Sequence, residues 1–276
     1  MARVFVAGAG YVGSVAAALL AQAGHAVDIG RRTASGAPGT HAMDVLRPET
    51  YPAALAGADC VVYCVSADAF TPEAYRDAYV EGLARVIEAA AKGAARRLVF
   101  VSSTGVFGQD DGSIVDERSP AEPRGFSGRV ILEGEALAAA APLEATCIRF
   151  SGIYGPGRDR LVRLAREGAP VSARSRAAIT NRIHRDDCAR ALVHLVERPA
   201  VAPLYLGSDE APTAMGEILD WIGARLGVAP GPVGDDAAQV LQRGGNKRIS
   251  SAALRASGFA FRHPTYREGF AAILDG

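Results

Sequence analysis

The stretch Gly8-Ala9-Gly10-Tyr11-Val12-Gly13 constrains the fold more than any other part of the chain. It follows a short β-rich apolar run, Arg3–Ala7, and opens an Ala/Leu-rich run from about Val12 to Ala23. A GxGxxG pattern is common and weak by itself. It gains meaning between a strand and a helix, because each glycine then has its own task. Gly8 permits the tight turn, Gly10 lets backbone approach a phosphate with no Cβ in the way, and Gly13 lets the helix lie close to the strand. The N–H groups of the first helical turn then face a negative pyrophosphate. Gly8, Gly10, Tyr11, Val12 and Gly13 are therefore candidate dinucleotide contacts.

The run that follows repeats the same alternation. Gly24 ends the first helix, Ala26–Gly30 reads as a second strand, and a short third strand ends near Met43-Asp44. Cys60–Val65 (CVVYCV) is continuously apolar, Pro72 opens a long helix to about Lys92, and Arg97–Ser102 (RLVFVS) is the next strand. Pro suits a first helical position. Apolar runs buried on both faces and separated by helices predict an α/β fold, a Rossmann-type doubly wound parallel sheet with helices on each side. The polar stretch Ser103–Gly125 reads as a loop, followed by a helix near Gly128–Ala140 and a strand at Ala145–Phe150. Helices are expected near Asp186–Glu197, Thr213–Leu226 and Ser250–Ala256. The expected division is a dinucleotide-binding domain over 1–150, with 183–206 returning to it, and a small C-terminal α/β cap built from 151–182 and 207–276.

The charge balance narrows the partners. Lys and Arg equal Asp and Glu in number, so the formal net charge is zero, whereas a nucleic-acid binder normally carries a basic excess. No run approaches the roughly 18 to 20 apolar residues of a membrane helix. The first strand begins at once, so no secretory leader is expected, and the expectation is a cytoplasmic protein with a small-molecule substrate. The four cysteines, Cys60, Cys64, Cys147 and Cys188, lie in or beside apolar segments. Without a CxxC pair they read as reduced buried thiols, not a metal site.

The end of the second strand bears on the cofactor. NAD sites usually place Asp or Glu there for the ribose hydroxyls, but this strand ends Ile29-Gly30-Arg31-Arg32. Two guanidiniums would pair with a 2′-phosphate, which a carboxylate would repel. Asp28 falls too early in the strand to reach the ribose. Arg31 and Arg32 thus favour NADP(H), with NAD(H) as the alternative if they are only solvated charges.

Further segments, in order, resemble the extended short-chain dehydrogenase/reductase family, in its NAD-dependent epimerase/dehydratase branch. Met43-Asp44-Val45 resembles that family's Asp-hydrophobic pair, which implies that Asp44 contacts the adenine. Val65-Ser66-Ala67 falls where the family lines the cofactor with small residues, and Ser102 is expected beside them. Val101-Ser102-Ser103-Thr104-Gly105-Val106-Phe107-Gly108 is similar to the SS-x-x-VYG segment. Arg149-Phe150-Ser151-Gly152-Ile153-Tyr154-Gly155-Pro156-Gly157 resembles R-x-x-x-x-YGPG. Asn181-Arg182-Ile183-His184-Arg185-Asp186-Asp187 resembles the motif before a late helix. The resemblance covers nearly the whole chain. Family members usually read GxxGxxG, and this chain has Gly8 where that pattern needs glycine at Ala7, which marks an atypical subgroup.

The resemblance also exposes a departure. Members that oxidise or reduce a sugar carbon carry Tyr-x-x-x-Lys at the start of the helix after the serine loop, tyrosine as acid/base and lysine lowering its pKa. Here the best register sets Phe126 at the tyrosine and Val130 at the lysine. Arg129 is too basic to exchange protons near neutrality. Ser103 keeps the position of the catalytic Ser/Thr and Tyr154 the position near the nicotinamide, so both are catalytic candidates. Ser103 has a competing local role as a strand-end hydroxyl bonding nearby backbone, and Tyr154 a competing packing role. Thr104, Arg158 and His184 are candidate substrate contacts; His184 can titrate near neutrality or make a structural hydrogen bond. Arg158, Arg174, Arg176 and Arg182 can clamp an anionic substrate or lie solvated. The expected activity is an oxidoreductase or epimerase acting on a small sugar-derived or anionic substrate. The alternative is a catalytically inactive NADP(H)-sensing module. A homodimer pairing through the Pro72–Lys92 and Gly128 helices is a resemblance-based expectation.

Overall fold

The computed structural model describes residues 1–33, 36–233 and 245–275, so 234–244 of the expected cap lie outside the described residues. In chain order the elements are β1 (Arg3–Ala7), α1 (Gly13–Gln22), β2 (Ala26–Arg31), β3 (Thr40–Ala42), α2 (Ala53–Gly57), β4 (Cys60–Tyr63), α3 (Pro72–Arg76), α4 (Gly82–Lys92), β5 (Arg97–Ser103), β6 (Ile114–Val115), α5 (Phe126–Ala139) and β7 (Glu144–Phe150). They continue with β8 (Gly152–Tyr154), α6 (Arg160–Arg166), α7 (Ala173–Ala177), β9 (Ile179–Thr180), β10 (Arg182–His184), α8 (Arg185–Glu197) and β11 (Leu204–Gly207). The last are β12 (Thr213–Ala214), α9 (Met215–Leu226), β13 (Arg248–Ile249), α10 (Ala252–Ala256) and α11 (Tyr266–Leu274).

The central sheet has seven strands in the order β11-β7-β5-β4-β1-β2-β3. The chain leaves β1 toward β2 and β3, then crosses back to β4, β5 and β7, and these neighbours pair in parallel. The order therefore reverses between β1 and β4, which is where an open α/β sheet binds ligands. Both faces are buried, as the unbroken apolar runs require. Phe5, Ala7, Val61, Tyr63, Leu98 and Phe100 join Leu83, Val86 and Ile87 of α4 in one core. The alternate residues Val4, Val6, Val62 and Val99 point to the other face and are no more than 1% exposed.

The long helix predicted from Pro72 to Lys92 is interrupted. Between α3 and α4, Asp77–Glu81 forms a π-turn, a local widening that frees a carbonyl. The Tyr63 hydroxyl takes up that carbonyl, donating to Ala78 at 2.6 Å. Gly82 is needed beside it, because a Cβ there would come within 2.6 Å of Val45 and 2.8 Å of the Tyr63 hydroxyl.

The chain divides into two compact units. One holds Met1–Val106, Pro123–Phe150 and Cys188–Tyr205; the other holds Phe107–Glu122, Ser151–Asp187 and Leu206–Gly276. The late segment in the first unit is Cys188–Tyr205, where 183–206 was expected, and 107–122, expected in the first unit, is built into the second. There β6 pairs with β13, Glu117 accepts from the Leu206 N–H at 2.9 Å, Asp110 accepts from the Asn246 N–H at 2.7 Å, and the buried Lys247 ammonium donates to the Phe107 carbonyl at 2.9 Å. The expected loop thus carries a short strand. The second unit's own core forms where Leu161, Val162 and Ala165 of α6 meet Met215, Ile218 and Ile222 of α9 and Tyr266 and Phe270 of α11.

Candidate functional site

A cavity of about 410 Å³ opens in the first unit at the end of β1 and β4. Its floor is the glycine turn. The Gly8 N–H donates to the Gly30 carbonyl at 2.9 Å, and Gly8 has φ +93°. A Cβ on Gly8 would sit 2.8 Å from the Cys64 carbonyl, and one on Gly13 would sit 2.2 Å from the Gly8 oxygen. Both positions therefore exclude a side chain. Gly10 differs: a Cβ there would meet nothing within 4 Å, because it would project into open space. That is the cradle a phosphate fills with backbone alone. No side chain caps the N-terminus of α1, so its positive end is presented to an anion.

The walls carry the other expected residues. Arg31, Arg32, Asp44, Val65, Ser66 and Ala67 line the cavity with Gly8 and Gly10. Asp44 is held by an Asx turn, its Oδ1 accepting from the Leu46 N–H at 2.9 Å. Asp28 is turned to His41, 2.6 Å away, consistent with its exclusion as a ribose ligand. Val12 and Gly13 are buried beneath the turn and support it without lining the cavity; Tyr11 also lies outside the lining. Sequence reasoning missed Cys64, Asp68, Ala74, Asp77 and Ala78, which complete the wall after β4 and along the π-turn. Only nearness in sequence to Val65–Ala67 could have pointed to Asp68.

Ser102 requires a correction. It is 5% exposed, and its hydroxyl donates to Glu135 of α5 instead of facing a cofactor. The same carboxylate receives the Arg149 guanidinium two-pronged, at 2.8 and 2.6 Å. β5, α5 and β7 are thereby tied by one buried polar knot.

Ser103 follows with the opposite orientation along the strand. Its hydroxyl oxygen accepts from the Gly105 N–H at 3.0 Å, which realises the local role anticipated for it and leaves the O–H to donate elsewhere. Thr104 is 8% exposed in the single 3₁₀ turn beyond β5. α5 reads FSGRVILEGEALAA, with no tyrosine and no lysine. Phe126 packs on Phe70 and Tyr75, ring centroids 4.9 and 5.4 Å away, and Val130 is buried. Gly128 fixes the helix against the Ser103 turn, since a Cβ there would meet the Gly105 oxygen at 2.9 Å.

In the second unit Tyr154 and His184 each had two readings open. Tyr154 was a candidate to reach substrate or to pack, and its hydroxyl is buried without a hydrogen-bond partner. It lies over Gly269 so closely that a Cβ there would overlap it, and its ring packs on Phe270 at 4.5 Å. Burial pushes its pKa far above the ordinary range, so it makes a poor acid. His184 was open to titration near neutrality or to a structural hydrogen bond. Burial, reinforced by the neighbouring His263, lowers its pKa to about 4. Its Nδ1 accepts from the Asp186 N–H at 3.2 Å at the start of α8, a structural role. Arg176 is held by Asp220 at 2.7 and 2.6 Å, while Arg158 and Arg174 are exposed. Burial raises Asp209 to about 8.

Among the described residues no group of His, Cys, Asp and Glu is arranged to hold a metal ion. Among the described residues no helix is long and apolar enough to cross a membrane.

Comparison with known proteins agrees with this geometry. The model of the NAD dependent epimerase/dehydratase family matches residues 4–205. A 3-diazoavenalumate denitrifying reductase of a Streptomyces species is 31% identical over an alignment covering 83% of each chain. A Methylobacillus flagellatus structure assigned to the NAD-dependent epimerase/dehydratases superposes with a TM-score of 0.81 at 36% identity, covering 99% of this chain and 98% of that one. Human epimerase family protein SDR39U1 (isoform 2), solved with NADPH, shares the fold with a TM-score of 0.80 at 19% identity over 99% of each chain. Other structures of this fold hold NAD.

Proposed function

The chain belongs to the NAD dependent epimerase/dehydratase family, and from that premise we propose that it is an NADP(H)-dependent oxidoreductase that reduces a small carbonyl compound. The observation that carries this reading is the cradle itself. Gly10 leaves open space at the phosphate position, and Arg31 and Arg32 line the same cavity at the end of β2, where a 2′-phosphate would find two guanidiniums. A Streptomyces relative is named as a reductase, which favours net reduction over epimerisation.

The residues divide the work. The Gly8–Gly13 turn and the end of α1 hold the pyrophosphate, and Val65, Ser66 and Ala67 keep the wall thin for the dinucleotide to lie against. When bound, the nicotinamide supplies a hydride. Ser103 orients the substrate carbonyl: its oxygen is engaged by the Gly105 N–H, which polarises the O–H and directs it outward as a donor. With Phe126 and Val130 in the helix that follows, the proton for the reduced oxygen comes from solvent.

The test is a panel of small aldehydes, keto acids and keto sugars followed by NADPH absorbance. Wild type is expected to consume NADPH with at least one class. Ser103→Ala is expected to lower kcat by roughly 100- to 1000-fold with cofactor affinity unchanged. Tight NADPH binding with no turnover across the panel would overturn the reading.

A further inference from the structure

Two of the residues that line the cofactor cavity are bonded to each other. The Arg32 guanidinium grips the Asp68 carboxylate two-pronged, Nη2 donating to Oδ1 at 2.6 Å and Nη1 to Oδ2. Arg32 follows β2, and Asp68 lies in the segment after β4. In the sheet, β1 stands between those two strands. With neighbouring strands about 4.8 Å apart, β2 and β4 are separated by roughly 10 Å. The pair therefore joins the two side walls of the cavity across the end of β1, where Gly8–Gly10 form the floor. Both side chains are well exposed, at 67% and 63%, so the bridge lies on the solvent side.

The chemistry of the fork decides what can displace it. A guanidinium offers two parallel N–H donors to any planar or tetrahedral oxyanion, carboxylate or phosphate alike. An exposed carboxylate pair of this kind is weak, so a phosphate dianion can take the arginine away from it. A dinucleotide lacking a 2′-phosphate has nothing to offer in exchange. Arg31 makes no ion pair among the described residues. Asp44 faces the same cavity, with one carboxylate oxygen engaged by the Leu46 N–H, and does not bridge to either arginine.

We propose that Asp68 is a specificity-determining residue: it latches Arg32 across the cavity mouth, and a 2′-phosphate opens the latch by exchanging Asp68 for itself. The inference rests on the NADP(H) reading of Arg31 and Arg32 and goes beyond it. Asp68 limits the discrimination that Arg32 confers, because every molecule of NADPH must first win the guanidinium from a carboxylate that also repels it.

Calorimetric titration of NADPH and NADH into wild type, Asp68→Asn, Arg32→Gln and the double variant tests this without a substrate. Asp68→Asn is expected to tighten NADPH roughly tenfold while NADH changes by less than about twofold. In the Arg32→Gln background the same substitution should tighten NADPH by less than about threefold, since only repulsion remains to be relieved. An NADPH affinity unmoved by Asp68→Asn, or an equal shift for both cofactors, would overturn the latch. Wild type binding NADH more tightly than NADPH would instead overturn the NADP(H) reading. The latch would survive that result if Asp68→Asn still moved only NADPH.

Discussion

Asp209 and His184, both buried in the second unit, titrate in opposite directions from their ordinary ranges. Burial lifts Asp209 to about 8 from 3.8, so between those values the folded chain holds a proton that the unfolded chain releases. Its contribution is present below about pH 4 and is lost as pH rises toward 8, with a slope of at most ~1.4 kcal/mol per pH unit. Burial and His263 lower His184 to about 4 from 6.5, so the unfolded chain binds the extra proton and stability rises with pH across that window. The two oppose each other between pH 4 and 6.5, and only the Asp209 loss remains between 6.5 and 8. Urea unfolding of wild type and Asp209→Asn across this range should show their difference growing steadily from pH 4 to 8. Parallel curves would refute the assignment. Neither shift was legible in the sequence, where His184 was open to titration near neutrality or to a structural hydrogen bond and Asp209 drew no notice. Asp209 is buried near Arg182, Asp187 and Glu268, and His184 near His263 and Asp187, groups drawn from distant parts of the chain. Ser102 and Ser103 make the same point in adjacent residues. The sequence presents them alike, but strand alternation turns one hydroxyl inward to Glu135 and leaves the other at the strand end.

At the scale of elements, the Ser102–Glu135–Arg149 knot holds β5, α5 and β7 in register. Arg149 is 6% exposed. Removing Glu135 takes away the carboxylate that neutralises the buried Arg149 guanidinium, so Glu135→Ala is expected to cost roughly 3–5 kcal/mol in urea unfolding. Ser102→Ala, which removes one donor and leaves the ion pair, should cost about 1–2 kcal/mol. Equal losses would show that the knot acts through the hydroxyl and not through the charge pair. The strands and their helices were readable because their apolar runs are long and their breakers are glycine and proline. The π-turn at Asp77–Glu81 was not, since nothing local distinguishes it from α-helix. Its causes are tertiary, namely the Tyr63 hydroxyl on Ala78 and the packing of Gly82 on Val45. The short helices α6 and α7 and the last helix α11 were missed as well. α7 is only Ala173–Ala177, too short for an amphipathic period to repeat.

At the scale of the molecule, the doubly wound parallel sheet flanked by helices followed from one glycine turn and one alternation of runs. The division into units followed less well. Segment 107–122 is polar and reads as a loop of the first unit, yet β6 and the buried Lys247 fasten it to residues far along the chain. The cofactor walls were legible where they adjoin a strand end, and Asp68 was not, because its part depends on an arginine across the sheet. The central claim is that this cofactor cradle serves hydride transfer to a carbonyl oriented by Ser103. Its most direct test is mass spectrometry of the product formed by wild type from an active carbonyl substrate with NADPH doubly deuterated at C4. The account predicts one deuterium on the former carbonyl carbon. Product without that label, or no product with any carbonyl class while NADPH binds, would contradict it.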